Sequence, residues 1–191
     1  MTEVKVILHP LDVVTHLTKK YNKNCYVIFG GLHATLKADE VLKNTEDVDF
    51  VVSGEGETVL LELISTLNSK SNNFGTISGL SYRHEGKIVH NNTRKFVDNL
   101  DNLPFPDRES LLGSATYTSE DMGLLMGSRG CPYNCSYCAT QIWTRRVRYR
   151  SLTNIIDEIK DVQHRYGTHQ FTFKDDSFTV NRKRVMEFVV N

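Results

Sequence analysis

The sequence predicts an α/β protein built from two domains. Three observations support this prediction: short apolar runs alternate with helical patterns, the apolar runs end in glycine turns, and a proline-containing stretch separates two such series. We place the first domain at residues 1–98, a linker at 99–121 and the second domain at 122–191. A chain of 191 residues is long enough to bury a core and to hold two small domains.

The first domain is expected to contain two strand-turn-helix segments followed by a hairpin. The first segment begins at Cys25 with CYVIFGG, a β-rich run ending in two glycines, and continues into the helical pattern ADEVLKN. The second has a buried-type strand over residues 48–52, a Gly-Glu-Gly turn and the helical pattern TVLLELISTLN. Two such segments in succession predict a parallel sheet. Alternating residues around Glu85 and Gly86 predict a hairpin near residues 79–90.

The second domain is expected to resume the α/β alternation after Pro104 and Pro106, which forbid regular structure in the linker. GLLMGS is predicted as a strand, SLTNIIDEIKDVQHRYG as an amphipathic helix closed by Gly167, QFTF as a second strand and VNRKRVMEFVV as a second helix. Consecutive strands of this kind usually lie side by side. We therefore expect Asp175 and Asp176, after the second strand, to lie near the loop after the first.

That first loop holds three of the four cysteines within eight residues: Cys131, Cys135 and Cys138. A structural zinc ion is bound by four protein ligands and has no open coordination position. Three closely spaced thiolates instead suit a cubane iron-sulfur cluster that leaves one iron without a protein ligand. The remaining cysteine, Cys25, is expected to be a buried thiol of the first strand. His164 or His169 could complete a zinc site, so a structural zinc or cluster-binding module remains an alternative.

Composition narrows the classes of partner. The net charge is zero, which gives no overall attraction to nucleic acid or anionic lipid. No window approaches the length of a membrane span and the N-terminus lacks the pattern of a signal peptide, so we expect a cytoplasmic protein. The arginine-rich stretch at 144–150 is interpreted as a solvated or salt-bridged loop, with an anion clamp as the alternative.

The segment RGCPYNCSYC resembles the cluster motif of the radical SAM enzymes, with Gly130 and Pro132 flanking the first cysteine and Tyr137 preceding the third. The resemblance implies that the three cysteines hold a 4Fe-4S cluster whose open iron is chelated by S-adenosylmethionine. Reductive cleavage of S-adenosylmethionine would then give methionine and a 5′-deoxyadenosyl radical.

The same resemblance implies residues that bind S-adenosylmethionine. In this family the backbone at the position of Tyr137 meets the adenine. FTFKDDSFT resembles the segment that receives the methionine amino group, which assigns that role to Asp175, Asp176 and Ser177. The alternative for the Asp pair is that it caps the next helix. Further positions that recur in the subgroup, without an assigned role, are Arg150, Ser151 and Glu158.

The first domain is similar to the later part of the cobalamin-binding domain that precedes the radical SAM barrel in one large class. This resemblance implies that cobalamin contacts the two glycine turns, at Gly30, Gly31, His33, Gly54, Glu55 and Gly56. For His33, shaping the turn is the alternative role. The Asp-x-His-x-x-Gly loop that supplies a histidine to cobalt in many relatives is not matched. The implied fold is a partial Rossmann-like cobalamin-binding domain followed by the first part of a radical SAM (β/α) partial barrel.

The resemblance implies an enzyme, a cobalamin-dependent radical SAM methyltransferase acting on an unactivated carbon of a small molecule, with an electron donor such as flavodoxin or ferredoxin. Nucleic acid and membranes are not expected partners. Cyclisation, rearrangement and methylthiolation remain alternatives. Because a complete eightfold barrel takes about 250 residues, we interpret the chain as an incomplete piece of a longer protein. The resemblance does not imply that this piece is active by itself.

Overall fold

A computed structural model of the chain describes residues 13–69, 71–111, 113, 116–139 and 145–190. The chain divides into two compact units, Met1–Phe96 and Val97–Asn191, each mixing helices and strands. The predicted α/β class is therefore confirmed. Among the described residues, no helix has both the length and the apolar character that crossing a membrane requires.

The first unit is a four-stranded sheet with helices packed against it. Its elements in chain order are helical residues 13–21 (α1), β1 (Ile28–Phe29), α2 (Leu32–Asn44), β2 (Phe50–Val52), α3 (Gly56–Asn68), β3 (Leu80–His84) and β4 (Lys87–His90). The strand order is β1-β2-β3-β4. β1 and β2 pair in parallel, whereas β2 with β3 and β3 with β4 pair antiparallel. The sheet is therefore mixed, because the hairpin of β3 and β4 pairs with the edge of β2.

Strand β2 lies in the centre of the first core, with all three of its residues buried. Successive side chains of a strand point to opposite faces. Accordingly Phe50 and Val52 pack in a cluster that includes Val59 and Leu63 of α3, and Val51 packs in a second cluster with buried residues of α2. The two helices thus cover opposite faces of one short parallel strand, which explains why this strand is an uninterrupted apolar run.

The turn between β3 and β4 consists of Glu85 and Gly86, both with positive φ, at 49° and 73°. This is the conformation of a type I′ turn, whose twist matches that of the flanking strands. The pairing runs from His84 opposite Lys87 to Ser81 opposite His90.

The second unit contains short strands and two helices. Its elements are β5 (Leu124–Leu125), β6 (Ser128–Arg129), β7 (Arg148–Tyr149), α4 (Leu152–Tyr166), β8 (Thr172–Phe173) and α5 (Arg182–Val190). β5 pairs in parallel with β8, and β6 pairs antiparallel with β7. Within the stretch predicted as a linker, 3-10 turns form at Leu100–Asn102 and Arg108–Ser110, and both belong to this unit.

Helix α4 has defined signals at both ends. The Ser151 hydroxyl accepts a hydrogen bond from the Asn154 backbone N–H at 3.1 Å, which caps the N-terminus. Gly167 ends the helix with a left-handed φ of 66°, as predicted. The buried face carries Ile155, Glu158 and Val162, at the i, i+3 and i+7 positions of one helical stripe. A carboxylate therefore lies in the apolar stripe.

Close approach of the β5 and β8 segments depends on Gly123. A Cβ atom at this position would lie 2.1 Å from the carbonyl oxygen of Gln170 and 3.0 Å from Cγ2 of Thr168. The first distance is far inside van der Waals contact with backbone, which cannot move aside as a side chain can. Only glycine fits where the two parallel strands come together.

Candidate functional site

The cysteine loop begins directly after β6. Gly130 has a φ of 94°, a conformation that side chains with a Cβ rarely adopt, and Cys131 follows it. The Cys138 backbone N–H donates to the Cys135 carbonyl at 3.0 Å, which closes a turn between the last two cysteines. Cys135 is exposed, and the other two thiols of the loop are partly exposed; none is in a disulfide. The loop thus carries three thiols at the surface of the second unit.

The donor set of this loop fits a 4Fe-4S cluster in kind and number. Cysteine thiolates are the ligands of such clusters, and three of them leave one iron open. Within the described ranges, no three His, Cys, Asp or Glu side chains gather closely enough to hold one metal ion. His164, in the last turn of α4, and His169, before β8, are both exposed. Cys25, expected to be buried, is partly exposed and lies in the first unit.

The parallel pairing of β5 and β8 brings two loops to one sheet edge. Leu125 pairs with Phe173, and the Lys174 backbone N–H donates to the Leu125 carbonyl at 2.8 Å. Both strands therefore end on the same side, where the chain continues into the cysteine loop in one case and into KDDSF in the other. Ligands of α/β proteins bind at this edge.

The Asp175 side chain bonds to the strand that leads into the cysteine loop. Its Oδ1 accepts from the Gly127 backbone N–H at 2.7 Å, and its Oδ2 accepts from the Ser128 hydroxyl at 2.5 Å. The expectation that Asp175 lies beside this segment is confirmed. Asp176 is exposed and Ser177 is partly buried.

The alternative role of the Asp pair as a helix cap is not supported. The residue that caps α5 is Asn181, whose side-chain oxygen accepts from the Arg184 backbone N–H at 3.1 Å. The KDDSF segment is instead fixed by an aromatic cluster on either side of it. Phe173 and Phe178 stack with centroids 4.3 Å apart, and Phe188 of α5 meets Phe173 edge to face at 5.4 Å.

Beneath these loops lies a buried group of charges formed by Arg108, Arg150 and Glu158, which we call the Glu158 network. Glu158 is 1% exposed, and its two oxygens accept from Arg108 Nη2 at 2.7 Å and Arg150 Nη1 at 2.5 Å. Arg108 also donates to the carbonyls of Met122 and Leu124, at 2.8 and 2.9 Å. Both oxygens of the buried carboxylate are therefore satisfied by charged donors.

Sequence reasoning gave Arg150 and Glu158 no role and missed Arg108. An arginine in a proline-rich stretch is ordinarily exposed, so its burial carries no signal in the sequence alone. For Glu158 the available signal was a carboxylate at a position of the helical stripe that is otherwise apolar.

The arginine-rich stretch at 144–150 makes contacts within the second unit. Arg145 donates to the Asn134 side chain of the cysteine loop at 2.9 Å, and Arg148 donates to the Val97 carbonyl at 2.7 Å. Arg146 lies 3.4 Å from Asp98. These contacts agree with a salt-bridged loop more than with an anion clamp; residue 144 lies outside the described residues.

The two glycine turns of the first unit lie at the ends of its parallel strands. Gly31 follows β1 with a φ of 94°, and Gly54 follows β2 with a φ of 83°. Thr35 joins them, because its hydroxyl donates to the Gly31 carbonyl at 2.8 Å and accepts from the Gly54 N–H at 3.0 Å. Sequence reasoning missed Thr35, since threonine at this position reads only as part of a helix.

Among the glycines of these turns, Gly31 is the one with open space beside its backbone. A Cβ at Gly31 would meet nothing within 4 Å, whereas Cβ positions at Gly30 and Gly56 would lie in ordinary contact with Val52. A bulky ligand can therefore approach the chain at Gly31. This openness fits a cofactor such as cobalamin at the sheet edge.

The remaining candidates of the first unit lie at helix starts. His33 packs edge to face on Phe29 at 6.3 Å, and its Nε2 is buried with no hydrogen-bond partner among the described residues. The ring contact with Phe29 agrees with the alternative role of His33, shaping the turn after β1. Glu55 is the N-cap residue of α3 and is partly exposed.

Known proteins are similar to this chain over both of its units. Residues 125–189 match the Radical SAM superfamily. Over 190 residues the chain is 34% identical to an uncharacterized methyltransferase, PH0819, of Pyrococcus horikoshii. This alignment covers 98% of this chain and 41% of PH0819. It is 30% identical over 173 residues to an anaerobic magnesium-protoporphyrin IX monomethyl ester cyclase of Cereibacter sphaeroides, covering 86% of this chain and 28% of the cyclase.

Among solved structures, the chain resembles TsrM of Kitasatospora setae, a radical S-adenosylmethionine methyltransferase. With tryptophan and an analogue of S-adenosylmethionine bound, TsrM superimposes with a TM-score of 0.74 at 17% identity, over 96% of this chain and 35% of TsrM. Another TsrM structure, with cobalamin and a [4Fe-4S] cluster bound, matches with a TM-score of 0.65 at 17% identity, over 87% of this chain and 33% of TsrM. These likenesses confirm the predicted fold. The chain spans about two-fifths of PH0819. The segment that matches the Radical SAM superfamily begins at Leu125 and includes the three cysteines of the loop.

Proposed function

We propose that this chain is part of a cobalamin-dependent radical SAM methyltransferase that acts on an unactivated carbon of a small molecule. The observation that carries the proposal is the parallel pairing of β5 with β8, which brings the cysteine loop and the KDDSF segment to one sheet edge. The reaction needs a reducible cluster and a site for the amino acid part of S-adenosylmethionine close together, and this edge carries the residues that we propose for both.

In this proposal Cys131, Cys135 and Cys138 hold the cluster and leave one iron open. When bound there, the cluster supplies the electron for reductive cleavage of S-adenosylmethionine. Tyr137, next to the last cysteine, is 90% exposed, and its backbone is the group that we assign to the adenine. The carboxyl edge of β8 offers Asp175, Asp176 and Ser177 to the methionine amino group, since carboxylate and hydroxyl oxygens accept from an ammonium.

The first unit is proposed to contribute to cobalamin binding through its glycine turns. Open space at Gly31 and the positive φ values of Gly31 and Gly54 let a large ligand lie against the backbone, with Gly30, Glu55 and Gly56 alongside. TsrM, which has the same fold, has been solved with cobalamin bound. His33 is assigned to shaping the turn, because its ring packs against Phe29 at the end of β1.

A second candidate reaction is cyclisation, which is favoured by the 30% identity to the magnesium-protoporphyrin cyclase. The two reactions differ in the fate of the methyl group of S-adenosylmethionine. Transfer of an isotopically labelled methyl group to product supports methylation, whereas unlabelled product supports cyclisation. In both cases the substrate is a small molecule and the electron comes from a donor such as flavodoxin or ferredoxin.

The experiment that tests the proposal is anaerobic reconstitution of the chain with iron and sulfide. We expect about four irons per chain and dithionite-dependent formation of 5′-deoxyadenosine from S-adenosylmethionine. Cys135→Ala should lose both, while the matched control Cys25→Ala should keep both because Cys25 lies in the other unit. Bound zinc without iron in the wild type, or unchanged iron in Cys135→Ala, would overturn the proposal.

A further inference from the structure

The segment that enters the cysteine loop is fixed along its whole length by polar contacts. The Leu124 carbonyl accepts from Arg108, the Leu125 carbonyl from the Lys174 N–H, and the Met126 carbonyl from Arg150 at 3.0 Å. Gly127 is bonded twice, since its carbonyl accepts from the Arg150 N–H at 3.0 Å and its N–H donates to Asp175. Such a segment has little freedom to shift, and its last residue, Gly127, lies four residues before Cys131.

Asp175 contacts this segment where it enters β6, the strand that pairs with β7 and leads into the loop. Its two oxygens are used by neighbouring residues of this segment, the Gly127 N–H and the Ser128 hydroxyl. Ser128 is buried, at 3% exposure. A carboxylate that accepts two hydrogen bonds from a buried strand is holding that strand in place, because charged acceptors make the stronger hydrogen bonds and an orphaned buried donor is costly.

The close approach is built into the packing around Gly127. A Cβ at this position would lie 3.2 Å from Ile155 Cδ1, 3.4 Å from Asp175 Oδ2 and 3.5 Å from Phe173. The absence of a side chain thus lets the strand come within hydrogen-bond distance of Asp175. Stacking of Phe173 with Phe178 fixes the chain on both sides of the carboxylate.

The neighbouring carboxylate is placed differently. Asp176 is exposed, and within the part of the chain that the structure describes it makes no hydrogen bond or ion pair. Its oxygens are open to a ligand at the carboxyl edge of β8. The two adjacent aspartates therefore differ in what their side chains can do.

We infer that Asp175 is a positioning residue, which sets the location of the cysteine loop by fixing Gly127 and Ser128, and that Asp176 is the carboxylate that receives the methionine amino group. This inference rests on the proposed function, in which the loop holds a cluster that binds S-adenosylmethionine. It divides between two residues a role that the sequence resemblance assigned to both.

The first test uses the chain without cluster. Amide hydrogen exchange of Gly127 in the 191-residue protein should become about ten- to a hundredfold faster in Asp175→Ala, because a charge-assisted hydrogen bond is lost. Asp176→Ala is the matched control and should exchange like the wild type. Equal exchange in wild type and Asp175→Ala would overturn the positioning role.

The second test uses the reconstituted protein. Asp175→Ala should alter the electron paramagnetic resonance spectrum of the reduced cluster before any S-adenosylmethionine is added, or lower its iron content. Asp176→Ala should keep the wild-type spectrum and iron content, yet weaken the binding of S-adenosylmethionine about tenfold or more. Ser128→Ala should act in the same direction as Asp175→Ala, and the double variant should add little, since the two residues share one contact.

The outcomes separate the inference from the proposed function. If the wild type takes up no cluster, the proposed function fails, and the amide exchange still decides whether Asp175 holds the strand. If Asp175→Ala keeps the exchange and the spectrum but loses affinity for S-adenosylmethionine, Asp175 is a direct ligand and the inference is overturned. Should Asp175→Ala not fold, Asp175→Asn retains one acceptor for the Gly127 N–H and is expected to show intermediate exchange; wild-type exchange and spectrum would contradict the inference.

Discussion

The two units differ in what they bury. Described side chains that are buried in the first unit are mostly apolar, as in the sandwich of α2, β2 and α3, and none of them is charged. The second unit buries Arg108, Arg148 and Glu158 next to a smaller set of apolar residues. Apolar packing is non-directional, whereas ion pairs and hydrogen bonds act at specific atoms. The unit that carries the cysteine loop is thus the one that is held together partly by contacts between specific atoms.

The largest expected effect comes from removing the charge at the centre of the second unit. Glu158→Ala leaves Arg108 and Arg150 without their buried carboxylate, and breaking a buried pair costs about 3–5 kcal/mol. We expect amides of α4 to lose protection in hydrogen exchange while those of α3 keep it. Asp161→Ala, a change at a partly exposed position of the same helix that removes a surface pair with Arg165, is the control and should leave the protection of α4 in place. Intact protection of α4 in Glu158→Ala would contradict the comparison.

A matched change in the first unit should have a slightly smaller effect. Leu63→Ala removes a fully buried side chain from the α3 face of the sheet, at a cost of about 3 kcal/mol from lost transfer energy and the cavity left behind. Exchange of α3 and β2 amides should accelerate, and that of α4 should remain unchanged. Leu61→Ala, at an exposed position of α3, is the control. Loss of protection in both units would show that they do not unfold independently.

The cap of α4 should contribute less. Ser151→Ala removes the hydroxyl that accepts from the Asn154 N–H, and loss of such a cap costs about 1 kcal/mol. Urea unfolding of the second unit should move to a lower midpoint with an unchanged slope. Ser151→Asp, which can also cap, should restore the midpoint. If the Ala and Asp variants had the same midpoint, the cap would not contribute to the stability of α4.

The smallest effect is a surface pair of the first unit. The hydrogen bond from Arg94 lowers the pKa of Glu62, against an opposing effect of burial. Because the folded pKa lies below the unfolded one, the stabilisation is present above pH 4.5 and is lost as pH falls through the folded pKa. Glu62 is 40% exposed, so solvent screening keeps the contribution below about 1 kcal/mol.

This pair can be tested by unfolding at two pH values. Glu62→Gln should lower the urea midpoint slightly at pH 7, and the difference from wild type should shrink well below pH 4.5. A difference that grows in acid would contradict the assigned direction of the pKa shift.

Local patterns in the sequence predicted local structure well. Alternation around Glu85 and Gly86 predicted the hairpin, and Gly167 predicted the end of α4. The parallel pairing of β5, which precedes the cysteine loop, with β8, which precedes KDDSF, also followed from the order of these strands in the chain. These features depend on residues close in sequence or on a general rule of connection.

Features set by distant contacts were not predictable in the same way. The antiparallel pairing of β2 with β3 makes the first sheet mixed, and no periodicity within either strand indicates which edge a hairpin will join. The burial of Arg108 depends on a carboxylate fifty residues away in sequence. The two hydrogen bonds of Asp175 likewise depend on how closely the backbone at Gly127 approaches the carboxylate. A glycine in the sequence does not by itself indicate that close approach.

The most direct test of the open iron is electron-nuclear double resonance on the reduced, reconstituted chain with S-adenosylmethionine labelled with ¹⁵N in its amino group and ¹⁷O in its carboxylate. Hyperfine coupling of both labels to the cluster is expected, since the iron without a cysteine ligand would be chelated by both groups. A cluster that shows no coupling to either label would contradict the assignment of the three-cysteine loop as a site for S-adenosylmethionine.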